Sequence, residues 1–67
     1  MTNETATANI GCFFKLAEYR CKVLKVDSFN GVIHYGFATI RKHDEPMDSP
    51  IIGWIPADII GGCEYGI

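Results

Sequence analysis

Between Tyr19 and Arg41 the chain reads Tyr-Arg-Cys-Lys-Val-Leu-Lys-Val-Asp, then Ser28-Phe29-Asn30-Gly31, then Val-Ile-His-Tyr-Gly-Phe-Ala-Thr-Ile-Arg. Asn and Gly accept positive φ at the lowest cost, and this pair stands between two runs rich in β-branched and aromatic residues, which predicts a β-hairpin. In the first arm Tyr19, Cys21, Val23 and Lys25 fall on one face, with Arg20, Lys22, Leu24 and Val26 on the other. Neither set is purely apolar, as expected of a strand that bends around a small barrel. In the second arm Ile33, Tyr35, Phe37 and Thr39 oppose Val32, His34, Gly36, Ala38 and Ile40. This is the longest predicted strand, and Gly36 inside it predicts a bulge, a sharp bend or the close approach of another backbone.

Outward from the hairpin the signals weaken. Residues 9–16 read as a short first strand, with a brief helical turn as the alternative, and Ala17-Glu18 after it carry no turn signal. Lys42 to Pro50 holds two prolines and three acids, Asp44, Glu45 and Asp48, and reads as an exposed loop. Ile51-Ile52-Gly53-Trp54-Ile55 is a strand, Pro56 suits the first position of a short helical turn, and Ile59-Ile60 resumes extended structure. Gly61-Gly62 is a joint, and residues 63–67 are an edge strand or a loose end. Residues 1–8, polar and small, read as a flexible tail; residues 9–67 read as one domain. The predicted class is all-β, a small five-stranded barrel with a short helical turn near Pro56, since closure removes exposed edges from so short a chain.

Gly53-Trp54-Ile55-Pro56-Ala57-Asp58-Ile59-Ile60 resembles the end of a Src-homology-3-like barrel, where a strand, a proline-led helical turn and a final short strand follow one another. In signalling members of that class an early aromatic-acidic motif, a tryptophan after a long loop and a tyrosine after the proline turn line a groove for proline-rich ligands. Here only Pro56 matches that pattern. Ile59 or Ile60 replaces the tyrosine, Trp54 lies inside the late strand, and Leu16-Ala17-Glu18-Tyr19 departs from the first motif. The resemblance therefore implies the barrel of bacterial or phage members with varied partners.

Composition narrows the classes. A chain of 67 residues holds one domain, and 48% apolar content excludes a disordered chain. No apolar run approaches the roughly 20 residues of a membrane span, and the start lacks a signal-peptide pattern, so a cytoplasmic protein is expected. Cys12, Cys21 and Cys63 lie in no C-x-x-C spacing and read as small core hydrophobes of a reducing compartment. The net charge of −2 opposes broad attraction to nucleic acid or membrane, but it leaves room for a local basic stripe.

No motif predicts a catalytic residue, a metal or a cofactor. His34, His43 and the cysteines lack zinc-ligand spacing, and the carboxylates sit in a loop with no low-dielectric wall to tune them. Phe29, Tyr35, Trp54 and Tyr65 are instead candidates for an interface, because aromatic side chains dominate contact energetics. Together with Asp44, Glu45 and Asp48 they predict a non-enzymatic interaction module, a small accessory or inhibitory protein docking on a larger cytoplasmic partner. One alternative is a nucleic-acid-binding barrel, with Arg20, Lys22, Lys25 and Arg41 sharing an exposed face and Tyr19, Tyr35 and Phe37 offering stacking surfaces. Another is a small subunit of an oligomeric enzyme, a homo-oligomer with His34 and Tyr35 lining a shared cleft.

Overall fold

The computed structural model describes residues 2–60. Helix α1 (Asn3–Ala8) precedes strands β1 (Phe13–Leu16), β2 (Tyr19–Phe29), β3 (Val32–Lys42), β4 (Glu45–Pro46) and β5 (Ile52–Pro56), and a 3₁₀ turn spans Ala57–Ile59. All-β is the class: five antiparallel strands form one sheet, and the helical turn expected after Pro56 is present. β3 is its spine. One edge pairs with β2, while the other pairs with β5 along His34–Ala38 and with β4 at Arg41 and Lys42.

Asn30 and Gly31 both have positive φ, 51° and 78°, the requirement of a two-residue type I′ hairpin turn. Two further two-residue hairpins, at Ala17-Glu18 and His43-Asp44, also open on a left-handed residue, with φ of 54° and 56°. They lie together: the His43 N–H donates to the Glu18 carbonyl at 2.9 Å, and the Glu18 carboxylate meets Lys42 and His43 at 3.6 Å each. Residues 42–50 are mainly exposed, as expected, yet β4 and the Met47 N–H to Ile40 carbonyl bond tie them to β3.

One side of the sheet forms the core. Phe14, Cys21, Val23, Tyr35 and Phe37 are buried there, with Phe14 edge-on to Phe37 at 5.5 Å. Each large apolar side chain so buried contributes roughly 1.5–3 kcal/mol. The mixed faces of β2 have a specific cause: a bulge at Leu24, between Val23 and Lys25, reverses the alternation. Cys21 and Val23 point inward before it, and Val26 packs against the core after it.

Within the stretch expected to be a flexible tail, Asn3–Ala8 form a helix. Thr2 caps α1 by accepting a hydrogen bond from the Thr5 N–H, and Ala6 is fully buried against the sheet. Asn9 then donates its side-chain N–H to the Tyr35 hydroxyl at 2.8 Å. The residues expected to form the joint at Gly61-Gly62 and the last strand lie outside the described residues, as do Cys63 and Tyr65.

Candidate functional site

The opposite side of the sheet carries the cations. Paired residues of an antiparallel sheet point to the same side, so the register locates each one. Lys15 pairs with Arg20, Arg20 with Arg41, Phe13 with Lys22, and Lys25 with Gly36, which in turn pairs with Trp54. Five of the chain's six Lys and Arg residues, Lys15, Arg20, Lys22, Lys25 and Arg41, thereby share this outer face. The sixth, Lys42, points to the other side and pairs with Glu18.

Aromatic rings lie between these charges. The Arg20 guanidinium stands 4.9 Å and the Lys22 ammonium 5.9 Å from the Phe13 ring centre, and the Lys25 ammonium 5.1 Å from that of Trp54. Phe29 packs edge-on against both Trp54, at 5.0 Å, and His34, at 5.1 Å. Trp54 and Phe29 keep 41% and 42% of their surface exposed. Among the described residues Arg20, Lys22 and Lys25 form no ion pair. Asp27, opposite His34 at the hairpin end, is an acid of the same face, and its carboxylate accepts from the Ser28 N–H.

Gly36 is the floor beneath the tryptophan. A Cβ there would stand 2.8 Å from Lys25 Cγ and 3.1–3.2 Å from two carbons of the Trp54 ring. Close approach was expected at this glycine, and the approaching groups are side chains rather than a backbone. The missing Cβ lets the indole lie across β3 towards β2.

The structure redistributes the sequence candidates. Arg20, Lys22, Lys25 and Arg41 come together on one face. Tyr35 and Phe37 are 1% and 7% exposed in the core, and Tyr19 packs half-buried on that inner side with Lys42 over its ring, so none of the three joins the basic face. His34 and Tyr35, adjacent on β3, point to opposite sides and cannot line one cleft. Phe29 and the Asp44 and Glu45 segment are at opposite ends of β3, about 30 Å apart for an 11-residue strand. Asp44, Glu45 and Asp48 are exposed, but they form no single surface with Phe29 and Trp54. Phe13 and Lys15 were missed because their face depends on the Ala17-Glu18 turn, which the sequence does not announce.

Cys12 and Cys21 are buried and free, with burial pushing the Cys21 thiol pKa up. His43 lies in the β3–β4 turn, away from His34 on the outer face. A concavity of about 930 Å³ beside the β1–β2 turn is bordered by Leu16, Tyr19, Ile55 and Ile60. Glu18 and His43, 3.6 Å apart, also border it. No helix among the described residues is long and apolar enough to cross a membrane. Comparison with known proteins finds no family model, no curated protein and no solved structure that matches this chain.

Proposed function

We propose that the chain is a non-enzymatic nucleic-acid-binding module that engages the phosphate backbone with the outer face of its sheet. The observation that carries this reading is the gathering of Arg20, Lys22, Lys25 and Arg41 on one side, with Phe13 and Trp54 between them. Cations on a rigid sheet neutralise phosphates, and interleaved rings add contacts that tolerate any sequence. The net charge of −2 is a sum over both sides of the sheet, whereas a ligand meets one side. The order of strand, Pro56 and 3₁₀ turn supports a Src-homology-3-like barrel as the scaffold.

Anisotropy of a short fluorescent DNA strand, titrated with the protein across a salt series, tests the proposal. Four phosphate contacts give a slope of log K against log salt near −3, and each of Arg20→Ala, Lys22→Ala and Lys25→Ala reduces its magnitude by about 0.7. Absence of binding at low salt, or binding indifferent to salt, sinks the reading.

A protein partner is the second reading, favoured by the exposed Phe29–Trp54 pair and by Ile52, Val32 and Ile59, also exposed. Capture from nuclease-treated extract of a stoichiometric protein that is lost with Phe29→Ala, together with no affinity for nucleic acid, would move the assignment there.

A further inference from the structure

Resting on that reading, we propose that Trp54 is a stacking platform for an unpaired base, so that the ligand is single-stranded nucleic acid rather than duplex. Three contacts hold the ring, and 41% of the residue's surface stays exposed. Gly36 lies beneath, where a Cβ would come within 3.1–3.2 Å of two ring carbons; the Phe29 ring packs nearly perpendicular to it, at 5.0 Å and 83°; the Lys25 ammonium stands 5.1 Å from the ring centre. A ring held in place while 41% exposed has already lost the rotamer freedom that binding would otherwise cost. The nearby ammonium serves the phosphate of the same nucleotide, which pairs a stacking surface with a charge at one position.

Shape separates single strands from duplexes. A duplex hides its base faces and admits a helix or a two-stranded ribbon into its major groove. The outer face here spans β1, β2, β3 and β5, three inter-strand steps or about 14 Å, and presents rings rather than a ridge. Phe13, under Arg20 and Lys22 at the far edge, repeats the ring-and-cation pairing and gives the strand a second place to stack.

Trp54 is the chain's single tryptophan, so its emission reports directly on this site. The intact chain is titrated with an oligothymidine strand and, separately, with a duplex of equal length, following both strand anisotropy and tryptophan emission. The expected result is quenching that tracks single-strand binding, with the duplex bound more weakly. Trp54→Ala weakens single-strand binding roughly 5- to 100-fold without changing the salt slope, while Trp54→Phe restores most of it. Gly36→Ala, which lifts the ring, acts as a second variant if Trp54→Ala is not folded by circular dichroism. Single-strand binding with unchanged emission, or equal affinity for duplex, overturns the platform and leaves the nucleic-acid reading standing. Absence of binding to either ligand overturns both.

Discussion

A thiol with no water around it holds its proton. Cys21 is fully buried beside Val23 and Phe14, and desolvation of the thiolate raises its pKa above the ordinary cysteine value. Unfolding therefore releases a proton once the pH exceeds the unfolded value near 9.0. The stability held below that pH declines above it, by at most about 1.4 kcal/mol per pH unit until the folded thiol also ionises. Denaturant melts from neutral to alkaline pH should show this decline, and Cys21→Ala should remove this part of it. Residue chemistry also decides what the sequence could reveal. Asn30-Gly31 announces its turn because both residues tolerate positive φ, whereas Ala17 and His43 take the same left-handed conformation with no compositional sign. The tight antiparallel geometry imposes it on them.

At the scale of elements, both long strands were readable, but of their faces only those of β3 were. Alternation along β3 survives intact from Ile33 to Thr39, so its inner set was legible. In β2 the bulge at Leu24 shifts the inner positions from odd to even numbers, and no residue type marks that shift. The basic stripe was visible as composition, but its aromatic partners required the register. Helix α1 escaped notice because six residues are too few for a periodic pattern, and it persists through its cap and its docking. Ala6→Asp places an unpaired charge where α1 meets the core and should lower stability by about 1–3 kcal/mol. The exposed control Thr7→Asp should leave the denaturation midpoint nearly unchanged.

For the whole molecule, the distribution of charge matters more than its sum. The outer face collects five cations, while Glu18 sits with Lys42 on the other side and Glu45 pairs in register with Lys42 rather than Arg41. A protein of pI near 5.5 should therefore be retained on a cation exchanger at neutral pH and low salt. The double variant Arg20→Ala, Lys22→Ala should flow through, although its fold as read by circular dichroism is unchanged. The central position of β3 bears also on the order of assembly. β1, β2 and β3 join through two-residue turns, so their pairing closes the shortest loops and needs nothing that follows residue 42. In refolding this meander is expected to zip before β5 joins it. β5 arrives later and lays Trp54 across Gly36. On the proposed reading, the cations then share their face before the ring reaches it, and a refolding chain would acquire attraction for phosphate earlier than a place for a base.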